Sequence, residues 1–527
     1  MSGKLPYLAL WSAEPPHIWL SGTVGDLLRE RAEEMGFAPA LHGVDDAGVV
    51  RTYTYGEVYE ESVRLACALL VDLDPGDTVA ICAPNSVAWV LTEFACGLSG
   101  IALAPMNPSM SNAEFRHILE SSGAKLVLTV EHHRGRPVAA RLREVLPTLS
   151  RPVEMLDLPT WSTTASGDRD LPDVTASTPL LVQYTSGTTG RPKGAVHTHL
   201  SALNAGAQWA ADLGLEPVDA LLAPVPLYHV GASIVALLGA MVMRSSLVLL
   251  PDYTPQALVA ALCQTRASVL AAVPTMLYDA LAQPGFSPAQ VPGLRIVVGG
   301  GSAVSADIVR EVERIFGVEF VVSFGQSESP AILQTRVGDS TDVKATTLGR
   351  PLPGRDVRIA RMDGSTARDG EIGEICTRSK MQMLGYIGQP EGSGDVIDDQ
   401  GWLHTGDLGA MDPAGYVSFH GRAREVIIRG GENLYPAEIE AVYALHPAIA
   451  QVAVVGQPDA RWGEVPVGFV VNRPDQSVNT EELIRYGQLY LASFKVPRRW
   501  IGIAAFPLTA SGKIRKVELQ QQIRSEG

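Results

Sequence analysis

Cysteine is scarce in this chain. Its five cysteines, Cys67, Cys82, Cys96, Cys263 and Cys376, are scattered and never form a Cys-x-x-Cys pair. That excludes a disulfide framework and a zinc ribbon, and it fits a reducing compartment. The pairs His132-His133 and His197-x-His199 lack further ligands at zinc spacing, so no zinc site is expected from them. Long apolar runs are missing as well. The segment 230–243 is apolar but for Ser233 and is bracketed by His229 and Arg244. It falls short of the roughly 20 residues that cross a bilayer, and it reads as a buried core helix. The opening Met-Ser-Gly-Lys-Leu-Pro has no apolar stretch before a small-residue cleavage site, and the final Ser-Glu-Gly is not a peroxisomal address. A soluble, cytoplasmic protein without an integral membrane segment is expected.

Positive charge is in deficit. Against 57 acidic residues stand 42 basic ones, a formal net charge of −15, which argues against a nucleic-acid partner or an anionic membrane surface. Only eight of the 42 basic residues are lysine, so the position of each lysine is informative. Charged residues make up 19% and hydrophobic ones 46% of the 527. That composition buries a large core and excludes a disordered chain.

What is present alternates. Thr54-x-x-Glu57 predicts a capping box opening a helix to about Leu70, and Ser111-x-x-Glu114 predicts another. Short apolar runs at 78–82, 101–104 and 126–130 read as strands between helices, the rhythm of βαβ units, and it recurs over 196–322. The Thr-, Ser-, Asp- and Pro-rich stretch 159–177 reads as a surface connection. After the polar connector 421–425 come strand-like runs at 426–428, 452–455 and 467–471, and a helix over about 480–492. The fold class is therefore α/β: a large N-terminal domain, 1–423, of parallel and mixed sheets sandwiched by helices. A small α+β domain, 424–527, follows.

The strongest chemical signal is Tyr184-Thr185-Ser186-Gly187-Thr188-Thr189-Gly190-Arg191-Pro192-Lys193-Gly194. A Gly-, Ser- and Thr-rich loop after an apolar strand offers backbone N–H groups and hydroxyls to a phosphate chain, and Lys193 adds a point charge. The lysine precedes its glycine, so this is not a Walker A loop. The segment 493–516 holds six basic residues and no acid. It reads as a surface facing a polyphosphate.

The eleven-residue loop resembles the signature of the adenylate-forming superfamily of acyl- and aryl-CoA synthetases, peptide-synthetase adenylation domains and firefly-type luciferases. The resemblance continues in order to Lys516. It includes Pro226-Leu227-Tyr228-His229, Gly299-Gly300-Gly301-Ser302, Phe324-Gly325-Gln326-Ser327-Glu328 and Leu348-Gly349-Arg350-Pro351. It goes on through His404-Thr405-Gly406-Asp407, Gly421-Arg422, Gly430-Gly431-Glu432-Asn433 and Ser511-Gly512-Lys513.

The resemblance implies ATP, Mg²⁺ and CoA as cofactor and co-substrates and a small carboxylic acid as partner, in a monomer or homodimer. Thr185 to Gly190 and Lys193 would hold phosphates. Phe324, where the family usually has Tyr, would stack on adenine opposite Gly301-Ser302-Ala303, next to Gly325, Gln326 and Ser327. Asp407 and Arg422 would hold the ribose, and Glu328 the Mg²⁺. Lys513 would be the catalytic lysine, and His229 would order the carboxylate or gate the acyl pocket. Tyr228, His229, Val230, Gly299, Gly300 and Phe324 would form the pocket wall, with the glycines leaving room for a medium-chain, aromatic or alicyclic acid. A mobile C-terminal domain would turn about Glu425, where the family more often has Asp or Lys. Gly430, Gly431 and Glu432 would then line the CoA path.

Alternatives remain at this level. Only 14 residues follow Lys513, which disfavours a fused carrier but not a separate one. Amino-acid activation needs a carboxylate near the pocket mouth, and Tyr228-His229-Val230-Gly231 offers none. Luciferase-type oxidation stays open. A non-catalytic nucleotide-binding protein is opposed by the joint presence of Lys193, Glu328, Asp407, Arg422 and Lys513.

Overall fold

The computed structural model describes the chain except residues 1, 2, 5, 6, 46, 186–191, 284, 301–303, 305, 389–395, 431, 460, 509–513, 526 and 527. Side chains at 3, 4, 524 and 525 are also outside it. Both predicted capping boxes are present. Thr54 and Glu57 open the helix Tyr55–Asp72, and Ser111 and Glu114 open Asn112–Ser122. The three short apolar runs are buried strands, Thr78–Cys82, Ala102–Pro105 and Leu126–Thr129, paired in parallel. Strands buried along their whole length in this way require helices on both faces.

The strands build two large sheets. One has seven strands and ends on Pro179–Thr185, Lys193–Thr198 and Gly385–Tyr386; the other has nine and includes Ile296–Gly300, Glu319–Gln326 and Ser329–Gln334. The largest hydrophobic cluster lies between them. It joins Val79, Ile81 and Leu103 of one sheet to Leu221, Leu247 and Ile296 of the other through helices that include Tyr55–Asp72, Val87–Ser99 and His199–Asp212. Separate clusters cover the outer faces, so the two sheets alternate with three helical layers. A six-stranded antiparallel sheet carries Gly373–Arg378, Leu403–Met411 and Val417–Arg422. The last five strands, within 427–502, form their own sheet with hydrophobic clusters drawn from 427–523 alone. Ring contact between His420 and Tyr435, 6.4 Å between centroids, touches this unit to the rest.

Two local expectations need revision. The stretch read as a surface connection begins with a helix, Leu158–Thr164, and Trp161 is buried in the main core. An apolar face of one turn is too short a signal to stand out among Thr and Ser. The apolar run after His229 is helical and buried as predicted, but its first part, Gly231–Leu238, is π-helical before Gly239–Val242 turns α. Such widened turns are frequent at functional sites. Among the described residues no helix is long and apolar enough to cross a membrane.

Candidate active site

The phosphate end is built on a hairpin. Strands Pro179–Thr185 and Lys193–Thr198 are antiparallel, with Thr185 opposite Lys193. Ser186, Gly187, Thr188, Thr189 and Gly190 lie outside the described residues. At the base, the Lys193 ammonium sits 4.9 Å from the ring centroid of Tyr386, a cation–π contact. Tyr386 is paired to the same strand opposite Ala195. Its hydroxyl donates to Glu328 Oε1 at 2.6 Å. Burial first, and then the Glu328 charge, push the Tyr386 phenol up, so it stays a donor. Two further bonds hold the turn carrying Glu328. Met383 N–H donates to the Glu328 carbonyl at 2.8 Å, and His197 Nε2 to the Ser327 carbonyl at 2.7 Å. Lys193, Tyr386 and Glu328 thus form one chain of contacts. Tyr386 escaped the sequence reading; its faint signal is a tyrosine inside an apolar stretch, where a buried hydroxyl needs a partner.

At the nucleoside end, Phe324 is half-buried against the cluster of Trp11, Ile332 and Leu333, and stands opposite Leu333. Gly325 is exposed, Gln326 and Ser327 are half-buried, and Gly301, Ser302 and Ala303 lie outside the described residues. Asp407 and Arg422 face each other across the hairpin of Leu403–Met411 and Val417–Arg422. Arg422 Nε is 3.2 Å from Asp407 Oδ1, and the Asp407 side chain is 11% exposed. The two residues expected at one sugar are therefore neighbours.

At the expected acyl pocket, Tyr228, His229 and Val230 are half-buried on the turn before the π-helical segment. Their backbone is clamped. Gln183 Nε2 donates to the Tyr228 carbonyl at 2.6 Å, and Leu227 N–H donates to Asn85 Oδ1 at 2.7 Å. The Tyr228 and His229 rings meet edge-on, 4.9 Å between centroids, and burial pushes the Tyr228 phenol up to about 12.

The glycines correct an expectation. A Cβ at Gly299 would lie 2.5 Å from Phe320 Cζ, and one at Gly300 would lie 2.5 Å from the Ser323 carbonyl oxygen. Their missing side chains admit the neighbouring strand, not a ligand, so the argument from empty space to a large acid falls. Gly300→Leu should therefore destabilise the sheet by roughly 1–3 kcal/mol, the usual cost of overpacking. Thermal unfolding would show the loss, and activity should fall for acetate and longer acids alike. A change confined to long acids would restore the pocket-widening role.

The basic segment is also corrected. Lys495 Nζ binds both Glu438 oxygens at 2.6 and 2.7 Å. Lys516 Nζ is 2.9 Å from Glu425 Oε2 and 2.7 Å from Glu440 Oε1, and Arg515 pairs with Glu518. Acids from elsewhere in the chain thus neutralise half of the six cations. Glu425, expected at the hinge, ends the 3₁₀ turn Ala423–Glu425 and is held by Lys516. Gly430 is exposed with φ +60°, and Glu432 is exposed on strand Glu432–Leu434. Gly431 and Lys513 lie outside the described residues.

Residues 28–387 match the family described as AMP-binding enzyme, and 438–513 match the AMP-binding enzyme C-terminal domain. The chain is 31% identical to a mitochondrial medium-chain acyl-CoA ligase of Macaca fascicularis over 96% of this chain and 87% of the relative. It is 34% identical to a feruloyl-CoA synthase of an Amycolatopsis species over 89% of this chain and 94% of the relative. Among solved structures it resembles the o-succinylbenzoate CoA synthetase of Bacillus subtilis bound to its acyl-adenylate intermediate. The TM-score is 0.83 at 27% identity, covering 94% of this chain and 97% of the other. The same B. subtilis enzyme has been solved with ATP and a magnesium ion.

Proposed function

Because the chain belongs to the AMP-binding enzyme family, we propose that it is an AMP-forming acid–thiol ligase. A carboxylate oxygen attacks the α-phosphate of ATP, releasing pyrophosphate and leaving an acyl-adenylate. The CoA thiol then attacks the acyl carbon, loses its proton, and displaces AMP. The observation that carries this reading is the contact chain Lys193–Tyr386–Glu328 at the root of the Gly- and Ser/Thr-rich loop. It sets a cation and a carboxylate at the base of the loop proposed to hold the phosphates. The donor set fits Mg²⁺: a hard ion shared with phosphates takes oxygen ligands, and Glu328 supplies a carboxylate oriented by Tyr386. Bound there, the ion would offset phosphate charge. Asp407 and Arg422 hold the ribose hydroxyls, Phe324 covers the adenine, and Lys513 stabilises charge at the α-phosphate. His229 and Tyr228 flank the entering acid. Residues 1–423 form the nucleotide and acyl domain and 424–527 the mobile lid.

The acid is medium-chain, aromatic or alicyclic. The two relatives named for medium-chain acyl and feruloyl substrates support this class. A panel of octanoate, ferulate, cyclohexanecarboxylate and acetate, each with MgATP and with or without CoA, tests the reading. AMP release should require acid and CoA together and should be poorest with acetate. Release indifferent to CoA but raised by a carrier protein would overturn the acceptor, and acetate as the best acid would overturn the substrate class.

A further inference from the structure

Glu374 and Cys376 stand on Gly373–Arg378, and Cys376 is directly opposite His404 on Leu403–Met411. Both Glu374 oxygens face the turn leading to Asp407. Oε1 accepts the Gly406 N–H at 2.8 Å, and Oε2 is 2.7 Å from His404 Nδ1. The other ring nitrogen of His404 lies 3.6 Å from Asp398. Arg358 donates to the same Asp398 at 3.4 Å and stacks 4.5 Å over Trp402. Thr405 Oγ1 donates to the Ile375 carbonyl at 2.7 Å and accepts the Asp407 N–H at 3.1 Å. Gly406 has φ +71°, a conformation that costs an ordinary side chain energy. Residues 404–406 are thus pinned, one after another, to a strand that carries none of the nucleotide contacts proposed above, and Thr405 in turn holds the Asp407 N–H.

We infer that Glu374, oriented by His404, is a positioning residue for the ribose: it fixes the Gly406–Asp407 segment so that the Asp407 carboxylate and Arg422 meet the sugar hydroxyls. The inference rests on the ribose role proposed for Asp407. A rival chemistry exists, since ligand atoms of Glu374, Cys376 and His404 lie within 4.8 Å of one another. Two observations favour the hydrogen-bonded role. Both carboxylate oxygens already accept bonds from the turn, and the Cys376 thiol is itself engaged, donating to the Glu374 carbonyl at 3.8 Å.

Equilibrium titration of the full-length protein with ATP and with 3′-deoxy-ATP tests the inference. The wild type should prefer ATP, and Asp407→Asn should abolish that preference. Glu374→Ala should weaken ATP binding by roughly tenfold, about one charge-assisted hydrogen bond, and reduce the preference towards unity. Glu374→Gln, whose carbonyl still accepts the Gly406 N–H, should recover most of it. A merely structural role would lower the unfolding temperature without moving the ATP to 3′-deoxy-ATP ratio. If Asp407→Asn leaves the preference intact, the ribose role of Asp407 fails and the inference with it. If Asp407→Asn abolishes it and Glu374→Ala does not, the inference alone fails. Should Glu374→Ala not fold, Glu374→Gln and His404→Asn carry the same measurement, with a partial loss of preference expected in each. One equivalent of zinc in the purified wild type, absent from Cys376→Ser, would overturn the positioning role.

Discussion

Lys513→Ala should slow acyl-adenylate formation by about 10²–10³, the usual loss when a transition-state charge contact is removed. Transfer from pre-formed acyl-adenylate to CoA should survive in the same variant. The first step drives a carboxylate against a triphosphate, so two anions approach, and a cation bridging them helps most as the new P–O bond forms. The chain around Lys513 is suited to deliver it. Leu508 pairs with Ile514, and Arg515 N–H donates to the Pro507 carbonyl at 2.8 Å, so the described residues on either side of Lys513 are held together. Lys516, three residues on, is anchored to Glu425 and Glu440. The complementary variant is Gly431→Leu, which should adenylate normally and fail to make thioester, because a side chain there would narrow the proposed pantetheine path. Each variant is given either acid with MgATP, read as pyrophosphate, or acyl-adenylate with CoA, read as thioester. Equal loss of both activities in a folded Lys513→Ala would mean that one conformation serves both steps.

Local codes were legible in the sequence, and long-range partners were not. Capping boxes at Thr54 and Ser111 depend on residues three apart, and both are present. The alternation of short apolar strands with helices likewise announced parallel sheets. By contrast, six cations between 493 and 516 look like a basic surface only while charge is summed along the chain. Glu438 lies 57 positions from Lys495, and Glu425 lies 91 from Lys516. The triple glycine shows the same limit. Absence of a Cβ says that something approaches closely, and at Gly299 and Gly300 it is Phe320 and the Ser323 backbone. Tyr386 is 58 positions from Glu328, so nothing local marked it as the partner of that carboxylate. The motif residues were found because each block is contiguous, whereas the groups that orient them come from other strands.

Two buried histidines make the fold acid-sensitive. His197 and His199 are fully buried, and burial lowers both to about 4 from an ordinary value of 6.5. For His197 the Arg355 guanidinium adds to the lowering, while the bond to the Ser327 carbonyl opposes it. The geometry agrees. His197 Nε2–H donates to Ser327, His199 Nδ1 accepts the Val24 N–H, and the remaining nitrogen of each ring has no partner among the described residues, so a second proton would be buried without an acceptor. Between pH 6.5 and about 4 the unfolded chain therefore binds protons that the folded chain refuses. Stability is complete above 6.5 and is lost as pH falls through this window, by roughly 3 kcal/mol per histidine. Glu93, fully buried and pushed up by burial, works in the opposite sense, since the folded chain keeps its proton while the unfolded chain loses it. The histidine variants separate the two effects. Urea unfolding at pH 7 and pH 4.5 should show a large acid loss in the wild type and a smaller one in His197→Asn and His199→Gln. An unfolding midpoint that is level from pH 7 to 4.5 would mean that both rings accept a proton where they stand.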